Sequence, residues 1–235
     1  MKIEELAFHP TPLGDLTLRR RTEPLQNNVD VFEVKLGDEY LMSSLFTESE
    51  KALARLGLAG LDGELDVVIG GLGLGYTAAA ALENDKVRRL LVIDLFQEVI
   101  EWHRVGLVPM GEAVAGDERC ELRQGDFFEM ARSGFDASGN AKRFDAVLLD
   151  IDHSPHFVLD EKNGSFYSTE GFAAVSAQLN RGGTFGLWSN DQIQERVERL
   201  MNAAFDSVDA HKIEFFNPYT SATSTNFVYI ARTSL

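Results

Sequence analysis

"DVVIGGLGLGYTAAAAL", residues 66–82, is an apolar run that breaks into glycines and restarts as a stretch of small residues. It predicts a strand over 65–70, a glycine turn, and a helix from about Tyr76. Glycines at such a turn let the backbone approach a ligand and lead tightly into a helix, which is how open α/β sheets hold nucleotides. From Gly71 the pattern is G-x-G-x-G, and from Gly73 it also fits G-x-G-x-x-A, a dinucleotide fingerprint. Gly70, Gly71, Gly73 and Gly75 are therefore candidate ligand-binding positions.

Strands and helices alternate downstream of this turn. Strand 90–94 leads into the helix FQEVIEWHR, strand 119–123 into a short helix at FFEMAR, and strand 144–150 into helix 169–179. Strand 184–188 precedes helix 191–205, and two strands near 208–216 and 226–232 close the chain. Strands separated by helices imply a parallel, doubly wound sheet. The last two strands are joined only by the loop NPYTSATST, so the final one must run antiparallel. Upstream, GDLTLRRRT alternates apolar and polar residues, and DVFEVKLGDEYLM reads as two strands about a Gly37-Asp38 turn. In TESEKALARLGL, Thr47 and Glu50 have the spacing of a capping box that opens a helix. The division expected is a small β-strand region, 1–46, before a Rossmann-like ligand-binding domain, 47–235.

Bulk properties narrow the partners. The 235 residues carry a net charge of −15, 44% hydrophobic and 25% charged residues, which is ordinary globular composition. That charge disfavours nucleic acid and anionic membrane as partners and suits a cationic small molecule. MKIEELAFHP is not a signal peptide, and no stretch is long enough to span a bilayer. A lone Cys120 excludes an internal disulfide and fits a reducing cytoplasm.

The ends of the second and third strands suggest the ligand. Asp94 lies about twenty residues beyond the glycines, where a carboxylate accepts from both ribose hydroxyls, with Leu95 beside it. The third strand ends in RQGDFFEM, putting Gly125 and Asp126 beside Phe127 and Phe128. An acid there accepts from an adenine amino group while a ring packs on the base. With the closing antiparallel strand and no second parallel half, this is the pattern of an S-adenosylmethionine-dependent transferase with a seven-stranded sheet.

From about residue 30 to 232 the chain resembles the spermidine synthase (polyamine aminopropyltransferase) family, in its spermidine-synthase-like branch. That family has a G-G-G-D-G-G loop, an acid ending the second strand, a G-D pair, a D-x-x-D-P loop and a P-T-Y-P-type loop. The counterparts here are IGGLGLG, Asp94, Gly125-Asp126, DIDHSP and NPYTS. The resemblance implies Asp94 at the ribose, Asp126 at the adenine, Asp150 near the reacting amine and Tyr219 at the acceptor. It also implies decarboxylated S-adenosylmethionine or S-adenosylmethionine as co-substrate, with no metal. Departures fall in the acceptor half. Gly73 replaces the loop acid, Ser49-Glu50-Lys51 stand for Y-H-E, and His153 replaces the second acid of D-x-x-D, with Asp152 adjacent.

DIDHSPH, 150–156, carries the candidate chemistry. Alkyl transfer from a sulfonium expels a neutral thioether, so it needs an aligned nucleophile and an amine freed of its proton more than it needs an acid. Asp150, Asp152 or His153 could take that proton. A metal site of Asp150, Asp152, His153 and His156 matches no standard zinc spacing. Arg19–Arg21 reads as a solvated strand edge, Trp102 and His103 as packing, and Ser189-Asn190-Asp191 as a cap cluster beside Trp188. The expected reaction is aminopropyl transfer to a small amine. Methyl transfer is the alternative, since Gly73 leaves nothing to repel a methionine carboxylate. A non-catalytic nucleoside-binding protein is the third reading, and a homodimer is possible.

Overall fold

The computed structural model describes residues 3–136, 142–192 and 195–235. Four N-terminal strands, β1 (Ile3–Thr11), β2 (Gly14–Glu23), β3 (Val29–Leu36) and β4 (Glu39–Ser43), form an antiparallel meander in that order. The alternation in 14–22 does what it predicts, because Leu16 and Leu18 are fully buried on one face. Gly37, with φ +57°, turns β3 into β4. Arg19–Arg21 is not a solvated edge: β2 lies between β1 and β3. Arg19 and Arg21 both bond Glu33, at 2.6 and 2.8 Å, and Arg20 reaches Glu4 across β1 at 2.8 Å. A run of like charge is satisfied in this way only when both flanking strands supply acids.

The second sheet contains β5 (Leu65–Gly70), β6 (Val87–Asp94), β7 (Cys120–Gln124), β8 (Phe144–Leu149), β9 (Leu179–Ser189), β10 (Ser207–Asn217) and β11 (Ala222–Arg232). Its order is β10-β11-β9-β8-β5-β6-β7, with β5 to β9 parallel and β11 inserted antiparallel between β9 and β10. The fold is therefore the seven-stranded α/β fold read from the sequence. The helices are α1 (Glu48–Leu58), α2 (Tyr76–Leu82), α3 (Gln97–Arg104), α4 (Gly111–Ala115), α5 (Phe127–Ser133), α6 (Thr169–Ser176) and α7 (Glu195–Asn202).

All six residues of β5 are buried, as a central parallel strand requires. Val67 and Ile69 point into a core shared with α1, α2 and α3, which also takes Leu16, Leu18 and Leu36 of the N-terminal sheet. Val68, Leu91 and Val147 face the opposite core, built on Phe128, Phe172 and Met201 of α5, α6 and α7. Helix 169–179 stops at Ser176, strand 90–94 starts earlier at Val87, and α4 is an element the periodicity did not predict. The first two residues of helix 191–205 lie within α7's approach, of which 193–194 are outside the described residues. The capping box is not formed: Thr47 caps α1 without a side-chain bond, while Glu50 turns inward.

The order places a topological switch point at β5. The chain leaves β5 toward β6 on one side and returns to β8 on the other, so the loops after β5 and β8 diverge and open a crevice.

Candidate active site

The crevice is a cleft of about 140 Å³ at the carboxyl ends of these strands. Its back wall is the glycine loop. Gly71, at φ +91°, has no room for a side chain, since a Cβ there would lie 2.0 Å from the Asp150 carbonyl oxygen. The Asp150 N–H in turn donates to the Gly70 carbonyl at 2.8 Å, locking the two loops together. Gly73, at φ +49°, lies against Met42 of β4, whose Sδ would be 2.6 Å from a Cβ and accepts from the Leu74 N–H at 2.8 Å.

Asp94 ends β6 beneath the loop. One carboxylate oxygen accepts from the Leu72 N–H and the other from the Phe96 N–H, both at 2.9 Å. Burial pushes this carboxyl up, and the N–H groups of Phe96, Leu72 and Gly73 pull it back toward the ionised form. With about four acceptor positions on a carboxylate, three N–H groups leave room for a ligand hydroxyl. Gly125 donates to the Asp94 carbonyl at 2.9 Å. Asp126 caps α5, accepting from Phe128 and Glu129 at 2.9 and 3.2 Å, and meets Lys162 Nζ at 3.2 Å. Gly71, Gly73, Asp94, Leu95, Gly125 and Asp126 thus border one cleft.

The Phe127 ring, 2% exposed, also reaches the cleft boundary but belongs mainly to its floor. It fills the space over Gly70, where a Cβ would be 2.4 Å from the ring, and packs on Phe135 at 5.1 Å. Gly70 is glycine to admit that ring. Gly75 starts α2 and faces His103 and Met110 instead of the cleft.

At the acid end, Asp150 Oδ2 accepts from the Thr77 hydroxyl at 2.6 Å. Glu50 of α1, 8% exposed, faces the same cleft and accepts from the Ser49 hydroxyl at 2.9 Å. Burial, then the Asp150 charge, pushes Glu50 up to about 8; burial pushes Asp150 up to about 6, opposed by Thr77. These protons belong to the pair as a unit.

Asp152 borders the cleft but is occupied. Its carboxylate accepts from the Leu159 N–H at 2.7 Å, Asn163 Nδ2 at 3.1 Å and the Tyr167 hydroxyl at 2.8 Å, so it organises the loop after β8. His153 lies between the cleft and a second hollow bordered by Asp38, Glu39 and Asp191, its ring 5.4 Å from Phe157. His156 lies away from the cleft, beside Tyr167 and Arg196. Tyr219 is also outside it: its hydroxyl accepts from Arg21 at 2.5 Å and donates to Glu23. Trp102 and His103 are buried packing, as expected. Cys120 is partly buried, and burial pushes its thiol up to about 12. Among the described residues no three His, Cys, Asp or Glu side chains gather to hold a metal, and no helix is long and apolar enough to cross a membrane.

Glu50, Thr77 and Met42 are the cleft residues the sequence reading missed as ligand contacts. Glu50 matched a cap signal, and Thr77 and Met42 carry no motif. Met42 of β4 packs on the glycine loop, α1 packs on α2, and Thr77 lies on α2 itself.

No family model matches the chain. A polyamine aminopropyltransferase of Pyrobaculum calidifontis is 27% identical over 156 residues, covering 66% of this chain and 52% of that protein. Polyamine aminopropyltransferase 2 of Pseudomonas aeruginosa is 25% identical over 157 residues, covering 63% and 41%. The chain thus spans about half or less of the length of these curated relatives. A crystal structure of spermidine synthase in complex with the transition state analogue AdoDATO superposes with a TM-score of 0.76 at 17% identity, over 98% of this chain and 74% of that one. The spermidine synthase of Thermotoga maritima gives 0.74 at 17% identity, over 98% and 72%. In sequence the chain is similar to polyamine aminopropyltransferases, and in fold to the spermidine synthases.

Proposed function

We propose that the chain transfers an aminopropyl group from decarboxylated S-adenosylmethionine to a small amine. The observation that carries this reading is Asp150, a carboxylate at the switch point, facing the glycine loop and held up to about 6 by burial. A base with that affinity accepts a proton near neutral pH. In the reading, Asp94 takes the ribose through its remaining acceptor position and Asp126 takes the adenine amino group. The amine nitrogen attacks the methylene carbon next to the sulfonium. The carbon–sulfur bond breaks with its electron pair going to sulfur, which leaves as neutral methylthioadenosine, and the proton displaced from the amine goes to Asp150. The chain's own contribution is alignment and that proton.

Methyl transfer from intact S-adenosylmethionine is the second reading, favoured by Gly73, whose position under Met42 carries no acid to repel a carboxylate. Calorimetry with S-adenosylmethionine, its decarboxylated form and methylthioadenosine on one preparation separates the two. The proposal expects the decarboxylated donor to bind clearly tightest. Equal or reversed preference favours methyl transfer, and binding of none of the three rejects an adenosyl ligand altogether.

A further inference from the structure

Glu50 is a carboxylate that the reaction above does not use, yet it is buried in the same cleft as Asp150. Taking a carboxylate out of water is costly unless a cation or strong donors replace the lost hydration. The donors found among the described residues are weak compensation: the Ser49 hydroxyl and Glu50's own N–H for Glu50, and the Thr77 hydroxyl for Asp150. No lysine or arginine among the described residues pairs with either acid. The adjacent Lys51 turns its ammonium toward the Tyr76 ring instead, 5.3 Å from the centroid.

Both acids border the same cleft, and Thr77 lies between the Asp150 carboxylate and the backbone of Glu50. Thr77 Oγ1 sits 2.6 Å from Asp150 Oδ2 and 3.4 Å from the Glu50 carbonyl oxygen. Ser49, which donates to Glu50, is itself braced by Asn226 of β11 at 3.0 Å. The remaining charged or titratable groups around Glu50 are Glu48 on its own helix and Tyr76 on α2. None supplies positive charge. Beyond the acids the wall is apolar, since the Met42 thioether covers Gly73 and occupies the Leu74 N–H. A ligand carboxylate would find no cation and no free loop donor at that point. A short alkyl chain ending in an ammonium would find both an apolar wall and its counter-charge.

We propose that Glu50 and Asp150 together form a subsite for one primary ammonium on a short alkyl arm, and that Glu50 makes the cleft select against an arm bearing a carboxylate. This rests on the aminopropyltransferase reading. It assigns selectivity to α1, where the glycine loop itself carries no acid. It also predicts a proton count. Near pH 7 the empty pair retains a proton, because Glu50 is held up to about 8, and an incoming ammonium expels it.

The test is calorimetry at pH 7 in two buffers of different ionisation enthalpy, on wild type and Glu50→Gln. Methylthioadenosine, which lacks the arm, reports the nucleoside contacts alone. With wild type, decarboxylated S-adenosylmethionine should bind at least ~tenfold tighter than methylthioadenosine, the scale of one charge-assisted contact, and release a proton that methylthioadenosine does not. In Glu50→Gln the advantage and the release should both vanish, while methylthioadenosine affinity stays within ~threefold. If instead the donor advantage persists but binding of 1,4-diaminobutane to the methylthioadenosine complex is lost, the subsite stands and its ammonium comes from the acceptor. Unchanged donor and diamine binding in Glu50→Gln overturns the subsite and leaves the adenosyl reading intact. Failure of methylthioadenosine to bind wild type overturns that reading itself. The buffer dependence in wild type needs no variant, so a poorly folding Glu50→Gln protein does not remove the test: absence of proton release on donor and diamine binding alike counts against the subsite.

Discussion

Asp150 is bound by a single hydroxyl, from Thr77, and so is free to act on a ligand in a way that Asp94, Asp126 and Asp152 are not. Replacing it with Asn keeps an oxygen for Thr77 and removes both charge and basicity. Methylthioadenosine affinity should change by less than ~threefold, since the nucleoside contacts lie elsewhere, while turnover falls by ~10²–10⁴, the range for a positioned base. Release of methylthioadenosine from the decarboxylated donor and a diamine measures it. Near-normal release would pass the role to Glu50 or His153, which border the same cleft. Asp94 has a double duty that the sequence did not reveal. Its carboxylate borders the cleft, but it also tethers Leu72 and Phe96, so truncating it would loosen the glycine loop as well as remove the proposed ribose contact.

At the scale of elements, the segment after β8 shows how neighbouring acids of one motif take different places in the fold. Asp150 and Asp152 are two residues apart, and from the sequence either could be the base. In the fold the first reaches the cleft, while the second gathers Leu159, Asn163 and Tyr167 into the 3-10 turn Glu161–Phe166 and its flanks. Asp152→Ala should therefore destabilise the protein by ~2–4 kcal/mol, because a buried acceptor is removed from three donors at once. Denaturant unfolding measures this, and an unchanged midpoint would return Asp152 to the list of free carboxylates. The same logic decides what was legible. The alternation of strands and helices, the antiparallel run of the final strand and the glycine–acid–acid series follow from periodicity and local turns, which are properties of contiguous residues. Glu50 was hidden because its spacing from Thr47 also fits a cap, and only α1 packing on α2 turns it inward. Tyr219 was placed at the acceptor by the likeness of its loop, which does not say which sheet that loop will meet. It meets the N-terminal one, at Arg21 and Glu23.

Over the whole molecule, two buried carboxylates with opposite shifts should shape stability against pH. Glu50 is raised from the ordinary 4.5 to about 8, so it favours the fold below 4.5 and that contribution is lost as pH rises through 8. Glu23 is lowered from 4.5 to about 2, first by the Tyr219 hydroxyl and then by Arg21, so its contribution is present above 4.5 and lost as pH falls through 2. The self-repulsion of a chain with net charge −15 at pH 7 also weakens the fold on the alkaline side. Melting temperature should accordingly peak near pH 4.5 to 5 and fall toward both sides. Variants isolate the two carboxylates, because neither alters the overall charge by more than one. Glu50→Gln should flatten the limb between pH 4.5 and 8, with a gain of several degrees at pH 8 given ~2–4 °C per kcal/mol for a chain of this size. Tyr219→Phe should leave that limb alone and bring the acid limb to higher pH, since Glu23 loses its strongest donor while Arg21 remains. Thermal unfolding of the three proteins from pH 3 to 9 provides the comparison. A Glu50→Gln curve parallel to wild type across that range would mean the Glu50 carboxyl titrates in the folded protein as it does in the unfolded chain, contrary to its burial beside Asp150.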